Sequence, residues 1–300
     1  MITPLNHYKE HDRIVEKLSD ARTLINEIND YARSKNLVAF WRGQADHQWG
    51  LHSSLSRQLT AVTILNDELL NKVEDAVLNE AKEWIADLAT PAYANPLSRL
   101  AYLQHHGVPT RLIDFTRDPS VALFFAAETH DEVDGRVFAL LIKQTEVLST
   151  CPSGTPWRQY QSSEVKVWDP TASGIVFPRL AAQDGVFAVG RLPSTQPHRK
   201  GWDELLQKDR SLLAEEVRKV LSVPFKLCGS NPIPPNATLP IGLTFRLHVN
   251  KESIRRSLQQ KRSGSRNRTI SHKLIYPDID GMRGYSDFLK GLNKGTLVLP

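Results

Sequence analysis

Residues Gly135-Arg136-Val137-Phe138-Ala139-Leu140-Leu141-Ile142 end in six apolar residues that follow one another without a break. A short apolar run bounded by polar residues is typical of a strand buried on both faces. We therefore expect this stretch to lie near the centre of a sheet. The elements on either side of it decide which kind of sheet it belongs to.

Four further segments have strand-like patterns. Leu37–Trp41 is apolar and is followed by Arg-Gly, which predicts a buried strand that ends in a turn. Ile175–Phe177 and Gly185–Val189 are predicted as two strands around a polar turn at 179–183. The fourth segment, 238–249, is predicted as a strand because its apolar residues alternate, at Leu243, Phe245, Leu247 and Val249.

Helical periodicity dominates the first third of the chain. Apolar residues recur every three or four positions over 8–34 and 66–89, and 97–105 has a shorter pattern of the same kind. Asp118 followed by Pro119 predicts another helix start, because Asp caps helices and Pro fits the first helical position. Helices that come first and strands that come later favour an α+β fold over repeated βαβ units.

The composition is that of a globular protein. Hydrophobic residues make up 40% of the 300 residues and charged residues 24%, enough apolar material for a proper core. We predict a single domain over 1–300, in which 191–300 completes the sheet. The sequence has no long apolar run and no secretory signal pattern at its start, so we expect a soluble cytoplasmic protein without membrane association.

The cysteines and the basic residues indicate which ligands and partners to expect. Cys151 and Cys228 occur in no metal-binding spacing, so we expect reduced thiols and no bound metal. The net charge is +5, and 251–273 is rich in basic residues. This stretch is interpreted either as a solvated basic surface or as a contact with a nucleic-acid backbone. The predicted nucleic-acid contacts are Arg255, Arg256, Lys261, Arg262, Arg266 and Arg268.

The motif Trp41-Arg42-Gly43-Gln44 places a permanent cation at the end of a predicted strand. Arginine suits bidentate binding of phosphate or carboxylate, and a following glycine lets another backbone or a ligand come close. The alternative interpretation is an arginine held in a structural ion pair.

The run Gln104-His105-His106-Gly107-Val108-Pro109-Thr110-Arg111-Leu112-Ile113-Asp114-Phe115-Thr116 is dense in polar side chains, Gly and Pro. Loops of this kind, set between apolar elements, often bind ligands or catalyse. Each member also has a structural alternative: His105 and His106 as hydrogen-bonded structural histidines, and Asp114 as a cap or a partner of Arg111. A two-histidine metal site is disfavoured, because adjacent histidines at a helix end point in different directions.

A third candidate segment runs from Arg179 to Phe187. Gln183 and Asp184 precede a predicted strand, where a side chain can face a cleft, although a plain polar turn is the alternative. The sequence contains no GxGxxG, P-loop or GxSxG motif, which removes the usual signatures of Rossmann dinucleotide sites, NTPases and serine hydrolases.

These segments together resemble the FRG-domain family, named for its aromatic-Arg-Gly signature. The resemblance rests on Trp41–Gln44, on Gln104–Thr116 with the helix that follows it, and on 179–187. It covers about 20–190 and extends to Tyr276–Gly281. The family is known mostly from bacteria and phages, often near toxin or defence genes, and this implies a possible neutralising antitoxin or hydrolase as partner.

A looser similarity connects the chain with ADP-ribosyltransferases, in which an aromatic-Arg-Gly strand end holds the NAD pyrophosphate. It implies N-terminal helices on a mostly antiparallel, split β-sheet, with NAD as co-substrate. The segment 179–183 is similar in layout to the RxxxAE segment of DNA-modifying toxin transferases, but here Gln183 stands where those enzymes have Glu. The acid is then expected from Asp184, Asp114 or Glu164.

The resemblance also implies residue roles and an acceptor. The implied cofactor-binding residues are Trp41, Arg42, Gly43, Gln44, His105, Thr110, Arg111 and Thr116. The implied catalytic residues are His106, Asp114, Gln183 and Asp184. The mild basicity of the chain favours a nucleic-acid acceptor.

Three functions follow as hypotheses. The first is an NAD-dependent ADP-ribosyltransferase acting on nucleic acid in a toxin or phage-defence setting. The second is a non-catalytic module that binds nucleic acid or a phosphorylated ligand. The third is a metal-dependent nuclease or other hydrolase that uses His105, His106 and Asp114.

Overall fold

The computed structural model describes residues 12–86, 90–161, 163–175, 177–194, 200–203, 208–228, 240–248, 250–260 and 269–282. The strands are β1 (Arg13–Val15), β2 (Leu37–Gln44), β3 (Ile113–Thr116), β4 (Gly135–Lys143), β5 (Val147–Leu148), β6 (Val165–Trp168), β7 (Gly185–Gly190), β8 (Lys200–Asp203), β9 (Lys208–Ser211), β10 (Lys226–Cys228) and β11 (Ile241–Leu247). The helices are α1 (Leu18–Ser34), α2 (Ser54–Thr60), α3 (Asp67–Trp84), α4 (Pro96–His105), α5 (Pro119–Ala127), α6 (Pro178–Ala182), α7 (Ala214–Arg218), α8 (Lys251–Gln259) and α9 (His272–Ile275).

One sheet organises the described part of the chain, with strand order β1-β11-β4-β2-β3-β7-β6-β5 and with β10 also paired to β11. Neighbours from β11 through to β6 are antiparallel. The outer pairs β1–β11, β10–β11 and β5–β6 are parallel. Strands β8 and β9 form a separate antiparallel pair. This mixed architecture agrees with the α+β prediction, whereas the ADP-ribosyltransferase-like arrangement stays a prediction.

Strand β4 has the central position that its apolar run predicts. It pairs with β11 on one side and with β2 on the other, and every residue from Gly135 to Ile142 is buried. The strand predicted over 238–249 is β11, and its predicted ends at 238, 239 and 249 lie outside the described residues. Since β11 pairs with β4, part of 191–300 lies in the same sheet; the single-domain interpretation stays a prediction.

Several predicted boundaries are corrected. The helix predicted over 8–34 begins only at Leu18, because 13–15 pairs with β11 as a strand; 8–11 lie outside the described residues. Strand β2 continues past Trp41 to Gln44. The strand predicted at 175–177 is wrong: Phe177 has an extended backbone but precedes Pro178, which begins α6, and its side chain packs into a core cluster.

The helix α5 packs directly on the sheet because two glycines allow it. A Cβ atom at Gly43 of β2 would lie 1.9 Å from the carbonyl oxygen of Ala122, and one at Gly135 of β4 would lie 2.0 Å from that of Ala126. The glycine of the aromatic-Arg-Gly motif therefore admits another backbone. Asp118 caps α5 by accepting from the Ser120 N–H, which confirms the predicted helix start.

The sheet separates three apolar clusters. One face of β2, β4 and β11 packs on α1, α5 and α8. The other face of β2 and β4 packs on residues 212–225. A third cluster lies between β6, β7 and the helices α3 and α4. Among the described residues, no helix is both long enough and apolar enough to cross a membrane.

Candidate functional site

A cavity of about 310 Å³, called here the main cavity, lies where β2 and β3 meet α4, α6 and the segment after α9. Among the described residues, β2 and β3 share one register pair, Trp41 with Thr116. The predicted site residues that line the main cavity are Trp41, Arg42, Gly43, His105, Asp114, Thr116 and Gln183. The other lining residues are Gln104, Phe115, Phe125, Phe177, Arg179, Leu180, Phe187 and Tyr276.

Arg42 is the most deeply set cation at this cavity. Its Nη1 donates to the Asp114 backbone carbonyl at 2.7 Å, and the Asp114 Oδ2 lies 3.7 Å away. Its buried Nε has no hydrogen-bond partner in the described part of the chain. Burial lowers the pKa of the Arg42 guanidinium, and the charge of Asp114 opposes that shift. Because an arginine stays protonated at neutral pH, the cavity keeps a buried positive charge with spare hydrogen-bonding capacity.

The dense loop holds Asp114 through a chain of hydrogen bonds. The Thr110 hydroxyl accepts from the Leu112 N–H and donates to Gln104 Oε1. The Gln104 Nε2 then donates to Asp114 Oδ1 at 2.7 Å. Asp114 itself is 61% exposed on β3, so its carboxylate is both oriented and accessible. Thr110 therefore acts through Gln104; its own side chain is buried and does not line the main cavity.

The C-terminal end of α4 fixes the position of His105. The Val108 N–H bonds to the Leu103 carbonyl and the Gly107 N–H to the Gln104 carbonyl, which is the Schellman pattern, with Gly107 in the left-handed region at φ 82°. His105 then stacks on Phe177 with ring centroids 4.8 Å apart. Burial, and then the nearby His106 and Arg179, lower the pKa of His105, so its imidazole is neutral at pH 7.

The segment after α9 closes one wall of the cavity. Arg179 binds Asp278 through two hydrogen bonds of 2.9 and 2.7 Å, and its guanidinium lies 5.3 Å from the Tyr276 ring centroid. Gln183 Nε2 donates to the Ile275 carbonyl at 3.1 Å. Sequence reasoning did not name Arg179 or Tyr276 as a site residue. The FRG resemblance extended to 276–281, and this was a signal that Tyr276 belongs to the site.

Tyr276 is held by a partly buried carboxyl group. Its hydroxyl donates to Glu128 Oε2 at 3.0 Å. Burial raises the pKa of Tyr276, and the Glu128 charge raises it further; burial also raises the pKa of Glu128. The pair fixes the aromatic ring against the cavity without adding a free charge to it.

The structure does not place Arg111 at the main cavity, which corrects its predicted cofactor role. Its side chain is 2% exposed, and its Nε donates to Glu74, whose side chain is fully buried. Its Nη2 donates to Asn71 at 2.5 Å. The physical reason is charge compensation: the buried glutamate of α3 needs this cation.

Three more predicted residues lie away from the cavity. Gln44 is buried and donates to the Gly50 carbonyl. The His106 ring lies against Tyr102, with centroids 4.5 Å apart. Asp184 has a left-handed backbone, φ 48°, and its carboxylate lies 3.7 Å from Arg117. None of them lines the main cavity, and the roles predicted for Gln44, His106 and Asp184 stay predictions.

The basic stretch is largely neutralised where it is described. Arg255 binds Asp131 through two hydrogen bonds of 2.6 and 2.8 Å, and Arg256 pairs with Glu252. Lys251 is fully buried and donates to three backbone carbonyls, of Ala45, Thr129 and His130. The other predicted nucleic-acid contacts lie outside the described residues, namely Lys261, Arg262, Arg266 and Arg268.

Within the described ranges, no group of three His, Cys, Asp or Glu side chains is close enough to hold a metal ion. His105 and His106 stand edge to face, with centroids 5.0 Å apart. The metal-dependent hydrolase hypothesis therefore lacks a set of ligands in that part of the chain.

Residues 38–135 match the family model of the FRG domain. These residues are therefore an FRG domain. The match confirms the resemblance over this range, which contains both Arg42 and Asp114. The FRG match ends at the first residue of β4, so Gln183 and Tyr276 lie beyond it. Neither the curated proteins nor the solved structures gave a significant match.

Proposed function

We propose that this FRG protein binds NAD in the main cavity and transfers ADP-ribose to an acceptor on nucleic acid. The observation that best supports this is Arg42: a protonated side chain, 16% exposed, in an aromatic-walled cavity, with a buried Nε that has no partner in the described chain. A phosphate oxygen would complete its hydrogen bonding.

The lining fits the two chemical parts of such a co-substrate. Phe125 and Tyr276, which are only partly buried, supply flat apolar surface for a nucleobase or nicotinamide ring. Arg42 would hold the pyrophosphate. A volume of about 310 Å³ lies at the lower end for ligand pockets, so the cavity suits one nucleotide half while the other half extends toward solvent.

We assign the acidic role to Asp114. NAD supplies the ADP-ribosyl group and the nicotinamide that leaves. A fixed carboxylate close to the ribose stabilises positive charge that develops there, and Asp114 is fixed by Gln104 while remaining accessible. Gln183 cannot share this role as it stands, because its amide has no charge and its Nε2 is used by the Ile275 carbonyl.

A second function is favoured by the same arginine. A non-catalytic module that binds a phosphorylated ligand would also use Arg42 and the aromatic walls. It differs in one respect, because it needs no accessible carboxylate beside the ligand. Asp114 therefore separates the two candidates experimentally.

The test uses labelled NAD with a mixture of single- and double-stranded oligonucleotides. We expect label transfer and free nicotinamide with the wild-type protein. Asp114→Asn should reduce transfer at least about 100-fold while NAD still binds, since removing one stabilising group typically has effects of that order. Asp30→Asn, an exposed carboxylate on α1, is the matched control and should transfer normally.

The outcomes divide the candidates. NAD binding without transfer or nicotinamide release would favour the binding module. If the folded protein does not bind NAD, then NAD is neither its co-substrate nor its ligand. Transfer that survives in Asp114→Asn would keep the transferase and remove Asp114 from its acidic role.

A further inference from the structure

A second cavity of about 130 Å³, called here the small cavity, adjoins the main cavity. The two share Arg42, Gln104 and Asp114 as lining residues. Arg57, on α2, lines the small cavity but not the main cavity. The carboxylate that we assign to catalysis therefore lies in the wall between two spaces.

The small cavity carries unbalanced positive charge. The exposed Arg57 side chain donates from Nη1 to the His52 carbonyl at 3.1 Å, and no carboxylate of the described residues forms an ion pair with it. Asp114 is the one carboxylate of the described residues in the lining of this cavity, and it lies 3.7 Å from Arg42. Burial lowers the pKa of Arg42, the charge of Asp114 opposes that shift, and the charge of Arg57 lowers the pKa further.

The neutral groups around Arg57 do not compete for an anion. His52 is buried, and burial lowers its pKa to about 4, so it carries no charge at pH 7. Its Nε2 lies 3.0 Å from the Arg218 carbonyl. Ser54 Oγ already accepts from the Thr110 N–H and donates to the Thr110 carbonyl. The arginines are therefore the groups that an anion would meet.

The volume of the small cavity limits the size of the anion that can bind there. A volume of about 130 Å³ is well below the roughly 300 Å³ at which pockets for whole small-molecule ligands begin. Such a space suits a phosphate group better than a nucleoside. The aromatic residues of the main cavity are missing from its lining, so stacking of a base is not available there.

We propose that the small cavity binds a backbone phosphate of the nucleic-acid acceptor, with Arg57 as its principal ligand. The identity of the acceptor rests on the proposed function. The assignment to acceptor follows from position: Asp114 lines both cavities, so with the co-substrate in the main cavity the small cavity leaves its other side open to an acceptor.

The test measures oligonucleotide binding without NAD, by fluorescence anisotropy of a labelled single strand over a range of salt concentrations. In Arg57→Gln we expect about tenfold weaker binding and a salt slope smaller by about 1, as for the loss of one phosphate contact. Arg57→Lys should recover most of the affinity. Arg33→Gln removes an exposed charge from α1 and should change neither quantity.

NAD affinity, measured on the same variants, separates this proposal from the proposed function. We expect Arg57→Gln to bind NAD as the wild type does. Unchanged oligonucleotide affinity and salt slope in Arg57→Gln would overturn the proposal, as would a wild type that binds no oligonucleotide. A selective loss of NAD affinity would also overturn it, since the small cavity would then hold a co-substrate phosphate. Failure of NAD to bind at all leaves the oligonucleotide result intact.

Discussion

Arg42 and Arg111 come from the two motifs that define the site, yet they occupy opposite environments. Arg111 is 2% exposed and pairs with a fully buried Glu74. Arg42 is 16% exposed, and the Asp114 carboxylate near it, at 3.7 Å, is 61% exposed. Each guanidinium has one buried nitrogen without a hydrogen-bond partner in the described chain, Nη1 in Arg111 and Nε in Arg42. A missing hydrogen bond alone therefore does not mark a ligand site.

Two other properties separate them. The charge of Arg111 is balanced by a close buried carboxylate, whereas the carboxylate near Arg42 is exposed and lies 3.7 Å away. Arg42 also lines both cavities, and Arg111 lines neither. The comparison indicates that the first arginine is available to a ligand and the second holds the fold together.

The largest expected effect is a loss of stability when Arg111, the structural arginine of this pair, is replaced. Arg111→Met leaves the buried Glu74 with Arg158 as its remaining cation. Removing one partner of a buried ion pair costs about 3 kcal/mol of unfolding free energy, because a buried charge loses its compensation. Urea unfolding measures this. Arg42→Gln should cost less than about 1 kcal/mol, since Asp114 is exposed; equal losses in the two variants would contradict the comparison.

The next effect concerns the glycine beside Arg42. Gly43→Ala brings a Cβ to within 1.9 Å of the Ala122 carbonyl oxygen, a backbone atom that cannot move aside alone. We expect a loss of about 3 kcal/mol or complete misfolding. Gly107→Ala has open space and only a left-handed backbone to strain, so it should lose about 1 kcal/mol. A Gly43→Ala protein as stable as the wild type would contradict the packing of α5 on β2.

A pH-dependent effect tests the environment of the small cavity. The pKa of His52 falls from 6.5 to about 4 in the folded protein. Between pH 7 and pH 5 the unfolded chain therefore takes up a proton at this residue that the folded protein does not. The free energy of unfolding should fall by about 2 kcal/mol from this source. In His52→Gln that contribution disappears, and an identical pH dependence in both proteins would show that His52 is not buried as a neutral group.

The smallest expected effect tests whether Asp114 or position 183 supplies the acidic group. Gln183→Glu replaces an amide donor with a carboxylate that would face the Ile275 carbonyl, at a cost of about 1 kcal/mol. It should not raise the rate of ADP-ribose transfer, because Asp114 already supplies the charge. A tenfold rise in transfer would move the acidic role to position 183.

Much of the fold could be predicted from local patterns. The apolar run at β4, the Asp-Pro start of α5 and the periodicity of α4 depend on neighbours in sequence, and the structure confirms them. The strand predicted at 175–177 is wrong because strand formation needs a partner, and the pattern carries no information about partners.

The site was predictable to a lesser extent. The motifs identified Arg42 and Asp114, which the structure brings together across 72 positions of sequence. They did not distinguish Arg42 from Arg111, because the buried Glu74 that binds Arg111 lies 37 positions away in α3. Arg179 and Tyr276 join the cavity through a contact between distant segments, which local patterns do not show.

The most direct test of the central claim is a calorimetric titration of NAD into the wild-type protein, Arg42→Gln and the control Arg33→Gln. We predict binding by the wild type and by Arg33→Gln, and at least about tenfold weaker binding by Arg42→Gln, because a charged hydrogen bond to phosphate is lost. Equal NAD affinity in all three proteins, or no binding to the folded wild type, would contradict the assignment of the main cavity to NAD.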